Sequence, residues 1–280
     1  MTTSQPQAPE APARGHLYLI PTPLGRQPDN RVLPEQVIET VHSLDTFFVE
    51  RIRQANSFLR WIRHPVPDFR CRFYELNKHT PGEDLIEMLS LLKQGARAGI
   101  ISEAGCPSVA DPGAELVRLA HQSGIPVTPL VGPSSILLAV MGSGLNGQAF
   151  TFHGYLPRPG AERTEAIRRL QNESDRTRAT QVFMETPYRN NDLLQELLRE
   201  LRDDTLLCTA SNLTLDGEQI ITKSVAEWRK TEIDLDHSPS IFLLLSETPR
   251  DGRGSSKGKR QGRNGPGKKK PAREKRRVRK

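Results

Sequence analysis

The chain has 280 residues, of which 35% are hydrophobic and 5% aromatic, and its formal net charge is +7 at pH 7. This length can hold two ordinary domains, and the apolar content is that of a globular protein rather than a disordered one. The longest apolar runs, Ile136–Met141 and Ile241–Leu245, are too short to cross a bilayer. Residues 2–14 lack the apolar core of a signal peptide. We therefore expect a cytoplasmic protein without membrane segments.

The positive charge is concentrated at the C-terminus. Residues 251–280 contain 14 Lys or Arg against two Asp or Glu, which leaves 26 basic against 31 acidic residues in 1–250. The body of the protein is therefore mildly acidic. Because the tail is rich in Gly, Ser and Pro and nearly free of apolar residues, it is predicted to be disordered. We predict disordered termini at 1–14 and 248–280, the second rich in Lys and Arg.

Strand and helix patterns alternate through the first half of the chain. The predicted strands are His16–Ile20, Thr46–Glu50, Arg70–Glu75, Ala98–Ser102 and Val127–Leu130. The predicted helices are Pro34–Leu44, Gln54–Ile62, Glu83–Gln94, Gly113–Gln122 and Ser134–Met141. Such alternation predicts a largely parallel sheet that is covered on both faces.

Glycines at 142, 144 and 147 mark a break, after which a second unit begins. Its predicted strands are Ala149–Gly154, Thr180–Glu185, Leu206–Ser211, Gln219–Lys223 and Ser240–Leu245. Its predicted helices are Glu162–Gln171, Asp192–Leu201 and a short one that ends at Arg229. The fold class is therefore α/β, with two α/β domains at 15–147 and 148–247.

The cysteines give no sign of a metal site or a disulfide framework. Cys71, Cys106 and Cys208 are scattered and odd in number, without spacing typical of zinc ligands. Cys106 lies in a loop rich in Gly and Pro that follows an apolar run at Ile100–Ser102 and precedes a helix. Strand-to-helix loops of this kind present backbone groups to ligands at the carboxyl ends of parallel strands. Similar loops at 21–25 and 131–135 strengthen the prediction of a ligand site.

Five motifs in order along residues 15–246 carry a resemblance to a known family. They are Leu17–Gly25, Glu103–Pro107 with Asp111–Gly113, Pro129–Ser134, Phe152–Pro157 and Phe183–Arg189. The chain resembles the tetrapyrrole-methylase superfamily, and particularly its ribosomal-RNA small-subunit methyltransferase I branch. The resemblance implies two α/β domains with a cleft between them for S-adenosylmethionine (SAM), and a homodimer. It also implies a methyltransferase. Because the sulfonium of SAM itself activates the methyl group, a metal is unnecessary for the transfer.

The resemblance also implies which residues contact SAM. Carried over by position, they are Pro23, Leu24, Gly105, Cys106, Pro107, Val109, Ser134, Ser135, Met184 and Ala210. For the two serines, capping of the helix that follows is an equal alternative, because Ser is a preferred N-cap residue.

Methyl transfer to a hydroxyl group also requires a proton acceptor. Glu103 and Glu185 are the catalytic candidates, because each follows a predicted strand end that faces the cleft. A structural role, such as orienting loop amides or pairing with Arg189, is the alternative for both. Arg51 and Arg53 are candidates for binding a phosphate of the substrate, or else belong to a solvated helix start.

Several positions depart from the pattern of the branch. Arg51 and Ile52 stand where the branch has Asp-Thr, Arg26 stands for Asn, Glu103 for Asp and Cys106 for Thr. Three hypotheses therefore stay open. The first is a SAM-dependent methyltransferase of RNA, acting on a ribose 2′-hydroxyl of rRNA, with the RNA bound by the cleft and the basic tail. The others are a methyltransferase for a small molecule such as a tetrapyrrole, and a non-catalytic RNA-binding protein.

Deleting residues 251–280 should weaken RNA binding and flatten its dependence on salt, because Lys and Arg displace counterions from the RNA backbone. The measurement is the RNA association constant over a series of salt concentrations. If the tail only aids solubility, the shortened chain will show the affinity and slope of the full chain.

Overall fold

Two five-stranded sheets carry the fold. The computed structural model describes residues 15–246, so the predicted disordered segments at 1–14 and 248–280 lie outside the described residues. Within 15–246, every helix falls short of the length and apolar content needed to cross a membrane.

The first sheet is entirely parallel, as predicted, with strand order β3-β2-β4-β1-β5. Its strands are β1 His16–Ile20, β2 Thr46–Val49, β3 Arg72–Glu75, β4 Arg97–Ile101 and β5 Val127–Pro129. The helices that follow these strands are α1 Glu35–His42, α2 Ile52–Trp61, α3 Gly82–Lys93, α4 Ala114–Gln122 and α5 Ser135–Ser143. The prediction of Arg70 in a strand is wrong. Arg70 ends a 3₁₀ turn, Asp68–Arg70, in which the Asp68 carboxylate accepts a hydrogen bond from the Phe69 amide.

Helices cover both faces of this sheet because neighbouring strand residues point to opposite sides. Leu17 and Phe48 pack with α3 and α4 on one face, whereas Ile20 and Phe47 pack with α1 and α2 on the other. All four side chains are fully buried. The prediction of a parallel sheet between two helical layers is therefore confirmed.

The second sheet is mixed, with order β6-β7-β10-β8-β9, and only β6 and β7 run parallel. Its strands are β6 Phe150–Tyr155, β7 Thr180–Met184, β8 Leu206–Ser211, β9 Gln219–Ser224 and β10 Ser240–Leu245. Its helices are α6 Ala161–Thr177, α7 Asn190–Glu200 and α8 Val225–Trp228. Trp228 anchors α8 in the core, where its indole donates a 2.7 Å hydrogen bond to the Leu207 carbonyl.

Helix α5 follows the first sheet in the chain but packs against the second. Its buried residues Ala139 and Val140 join a cluster with Ala210, Ile241 and Leu243 of the second sheet. Helix α5 is apolar around much of its circumference, which suits it to packing in this core. The domain boundary near residue 147 stays a prediction.

Candidate ligand-binding site

Three loops meet at one edge of the first sheet. They follow β1 (residues 21–25), β4 (102–113) and β5 (130–134), and these strands are neighbours in the sheet. Because the strands are parallel, their carboxyl ends lie side by side. This edge is where open α/β sheets bind ligands.

Hydrogen bonds join these loops to one another. The Thr22 amide donates to the Gly105 carbonyl at 2.9 Å, and the Gly105 amide donates back to the Thr22 carbonyl at 3.0 Å. The buried Ser102 hydroxyl also donates to the Gly105 carbonyl, at 2.7 Å. The Cys106 thiol makes a 3.5 Å contact to the Pro133 carbonyl. Each loop is therefore held by its neighbours rather than by helix or sheet structure alone.

The backbone of these loops adopts conformations that few residues accept. Gly105 has φ +77°, and a Cβ on Gly132 would lie 2.2 Å from Cγ of Pro21. Ser108 and Ala110 also have positive φ values, of 66° and 60°. Left-handed non-glycine residues cost conformational energy and cluster at functional sites.

The second sheet places three side chains opposite these loops. Ile241 of β10 is in register with Met184 of β7 on one side and with Ala210 of β8 on the other. These three residues and the loops of the first sheet line a common cavity of about 320 Å³.

Most of the predicted cofactor residues line this cavity. Eight of the ten do so: Leu24, Gly105, Cys106, Val109, Ser134, Ser135, Met184 and Ala210. Pro23 and Pro107 do not, although each directly adjoins a lining residue in the chain. With Tyr155, which also lines it, the cavity brings together parts of all five motifs.

One group of lining residues was missed by sequence reasoning. They are Ile136, Asn212, Leu213, Leu215, Pro239, Ser240 and Ile241. Most of them come from the β8–β9 connection and the start of β10, where no motif was recognised. Asn212, with φ +52°, begins the bend after β8, and Gln27 holds that connection by donating to the Thr214 carbonyl at 3.0 Å. An Asn next to a strand end was the available signal, since Asn tolerates the left-handed conformation.

Ser134 has the structural role that was its alternative. It is the N-cap of α5, and its hydroxyl accepts a hydrogen bond from the Leu137 amide. Ser134 also lines the cavity. A ligand there would lie beside the start of α5, where the Leu137 amide is already bonded to the Ser134 hydroxyl.

A second, adjoining groove of about 720 Å³ shares residues with the cavity. The shared side chains include Glu103, Asp111 and Tyr155. Glu50 lines the groove only and interacts electrostatically with Glu103 and Asp111. We call Glu50, Glu103 and Asp111 the carboxylate cluster. Within residues 15–246, no three His, Cys, Asp or Glu side chains are arranged to hold a metal ion.

The carboxylate cluster alters proton affinities. Burial, together with the negative charges of Glu50 and Glu103, raises the pKa of Asp111 to about 6. Burial and the charge of Glu103 also raise the pKa of Glu50, although Arg51 and Lys78 oppose this. Asp111 therefore changes its charge near neutral pH, at the junction of cavity and groove.

Glu185 is in a different electrostatic environment. Its side chain is nearly fully buried and is paired with Arg163 at 3.2 Å and with Arg189 at 2.7 Å. Burial by itself would raise the pKa of Glu185, but hydrogen bonds from the Thr186 amide and from Arg189 outweigh it and lower that pKa. The fully buried Arg163 also pairs with Glu196 at 2.5 Å. Glu185 is thus a fixed anion in an ion-pair network.

The two arginines predicted to bind phosphate differ in position. The guanidinium of Arg51 lies 3.2 Å from the carboxylate of Glu103, which lines the groove. Arg53 is exposed in the first turn of α2 and, within the described part of the chain, makes no ion pair. The structure therefore brings Arg51 to the site and leaves Arg53 outside it.

The fold and the cavity define a two-sheet α/β protein with a cavity between strand-end loops and the second sheet. The model of the tetrapyrrole (corrin/porphyrin) methylase family matches residues 16–228. The chain belongs to this family.

Individual relatives agree. The Escherichia coli O157:H7 protein "Ribosomal RNA small subunit methyltransferase I" is 28% identical over 77% of this chain and 71% of its own length. The Bacillus subtilis protein of the same name is 31% identical over 76% and 68%. Among solved structures, the methyltransferase CobJ is similar in fold, with a TM-score of 0.54 and 12% identity over 84% of this chain and 94% of that one.

Replacing Arg163 by Ala should destabilise the protein by about 3–5 kcal/mol, because it leaves the buried Glu185 without one of its partners. The control is Arg168→Ala. Arg168 pairs with Glu200 at 2.8 Å but is 66% exposed, and such a pair contributes about 1 kcal/mol or less. Urea unfolding of both variants measures the difference. Equal losses would show that the network around Glu185 contributes no more than a surface ion pair.

Proposed function

We propose that this protein is a SAM-dependent methyltransferase that methylates RNA, and specifically small-subunit ribosomal RNA. The observation that carries the proposal is the convergence of loops from separate motifs on one cavity, in a chain that belongs to a methylase family. The names of the relatives support the choice of RNA over other acceptors.

The lining of the cavity fits SAM. Apolar side chains such as Leu24, Val109 and Met184 suit the nucleoside and the aliphatic part of the methionine chain of SAM. The negative charge of Glu103 and Asp111 suits a sulfonium cation. When bound, SAM supplies a methyl group on positively charged sulfur, so the protein has mainly to align the acceptor and exclude water.

We assign proton removal from the acceptor hydroxyl to Asp111. As the methyl group is transferred to the acceptor oxygen, the hydroxyl proton passes to the Asp111 carboxylate. A pKa of about 6 suits this task at neutral pH. Glu185 is a poor acceptor, because its arginine partners stabilise its charged form. Glu103, tied to Arg51, serves in this proposal to position the charge cluster.

The charge of the carboxylate cluster also indicates which part of the substrate can enter the groove. Its carboxylates would repel a phosphate, so the sugar and base of the acceptor nucleotide would occupy the groove while the phosphates remain outside. The carboxylates of a tetrapyrrole would be repelled in the same way, which disfavours the small-molecule alternative. A homodimer, a cytoplasmic location and RNA binding by the basic tail stay predictions.

Incubation of the purified protein with methyl-labelled SAM and small-subunit rRNA tests the function. Label should enter the RNA, and S-adenosylhomocysteine should bind in calorimetry. Label in a porphyrinoid instead of RNA would favour the small-molecule alternative. RNA binding without affinity for SAM or S-adenosylhomocysteine would favour a non-catalytic protein.

Asp111→Asn should slow methyl transfer by about 100-fold or more, the usual contribution of a general base, while SAM binding is retained. In the wild type, transfer should decline as the pH falls through about 6, because Asp111 becomes protonated. Single-turnover rates from pH 5 to 8 measure both effects. A variant with the wild-type rate and pH profile would exclude Asp111 as the proton acceptor.

The same variant has an independent readout in stability. Because the pKa of Asp111 is raised in the folded state, its ionisation costs stability once the pH rises above its unfolded pKa. Asp111→Asn should therefore melt at a higher temperature than wild type at pH 8, by a margin that shrinks as the pH falls from 6 towards 4. This check does not depend on the substrate.

A further inference from the structure

Helix α2 has two opposite faces. Ala55, Phe58 and Leu59 are buried against the first sheet. Arg53 and Arg60, two turns apart on the other face, are exposed. The contrast between a buried apolar face and an exposed polar face explains how α2 packs on the sheet. It does not explain why the exposed face carries arginine rather than another polar residue.

The charge around α2 is unusual for this protein. Residues 51–72 contain six Arg and one Asp, whereas residues 1–250 as a whole carry more acidic than basic residues. The six arginines are all exposed. A strong local excess of one sign on a body of the other sign indicates a partner of opposite charge.

The arginines continue from the groove to the far end of α2. At one end Arg51 contacts Glu103, which lines the groove. At the other end Arg60 forms an ion pair with Asp68, which brings the 3₁₀ turn Asp68–Arg70 to the end of the helix. Ten helical residues span about 15 Å, so the positive surface extends roughly that far from the site.

An exposed aromatic ring lies at the far end. The Phe69 side chain is 79% exposed, and the guanidinium of Arg70 lies 5.8 Å from the centre of its ring. Phe69 belongs to none of the core clusters of residues 15–246. Over those same residues, Arg53, Arg63 and Arg70 make no ion pairs, so their charges are available. A free aromatic face beside free arginines is the combination that binds single-stranded RNA, by stacking on bases and neutralising phosphates.

We propose that Arg53, Arg60, Arg63, Arg70 and Phe69 form a docking track for the single-stranded RNA next to the methylated nucleotide. The identity of the partner, RNA, rests on the proposed function. The position of the track rests on the arginines and Phe69 alone. The carboxylate cluster receives the neutral part of the acceptor nucleotide, and the phosphates of the adjoining strand follow the arginines along α2. Phe69 stacks on a base at the end of the track.

The phosphate contacts are tested with the full chain and purified small-subunit rRNA. Arg63→Gln with Arg70→Gln should weaken binding and reduce the slope of log K against log salt by about 1.4, which is about 0.7 for each lost phosphate contact with a single strand. The matched control is Arg169→Gln with Arg199→Gln, two exposed arginines of α6 and α7 that make no ion pair within residues 15–246. The control should keep the wild-type slope.

The aromatic contact has its own test. Phe69→Ala should weaken RNA binding about tenfold, within the usual range for loss of a stacked base, while Phe69→Trp should restore it. A photoreactive benzoylphenylalanine at position 69 should crosslink to the RNA. The same residue at position 86 should not, although Ile86 of α3 is 66% exposed. Binding of S-adenosylhomocysteine to each variant confirms that it is folded.

The outcomes separate the track from the function. If the wild type methylates RNA but the track variants bind like the control pair, the track is wrong and the function stands. If the variants lose RNA affinity as described but the wild type transfers no methyl group to RNA, the function is wrong and the track stands. Crosslinking at position 86 as strong as at position 69 would also overturn the track.

Discussion

The reciprocal pair of backbone hydrogen bonds between Thr22 and Gly105 is the constraint on which the candidate site depends. It joins the loops after β1 and β4 outside any regular sheet, and the buried Ser102 hydroxyl reinforces it. Gly105 can take part because its φ of +77° is open to glycine. With these loops held in register, the cavity has a rigid wall on one side, and Met184, Ala210 and Ile241 complete it from the second sheet.

The charged residues around the candidate site form three groups with different roles. Glu185 is neutralised by the buried Arg163 and the partly exposed Arg189, and it supports the fold next to the cavity. The carboxylate cluster, with one member whose pKa lies near 6, faces the junction of cavity and groove. The arginines of α2 begin where the cluster ends, at the contact between Arg51 and Glu103. A polyanion would therefore be attracted to the outside of the site and excluded from its interior, which leaves the interior to a neutral group.

The strand–helix alternation of the first half was predictable because each buried strand is short, apolar and followed by an amphipathic helix. Most strand ends agree within one or two residues. Arg70 is misplaced because the backbone there forms a 3₁₀ turn, in which the Arg70 amide donates to the Pro67 carbonyl. Helix α6 extends to Thr177. The predicted helix ended at Gln171, because the last turns of α6 are polar and lack apolar periodicity. The mixed direction of the second sheet had no local signal, because pairing between β7, β10 and β8 joins residues distant in the chain.

The sequence by itself determined the class of fold, the family and ten of the 22 residues that line the cavity, because short motifs record local backbone requirements such as the turn at Gly105. Only the tertiary structure decided what these residues do together. It paired Glu185, which follows β7, with Arg163 of helix α6, and it placed Asp111 near the carboxylates of Glu50 and Glu103. It also brought the β8–β9 connection to the cavity. The physical reason is that proton affinity and cavity shape depend on neighbours in space, and neighbours across strands and helices leave no trace in local patterns of hydrophobicity or turn residues.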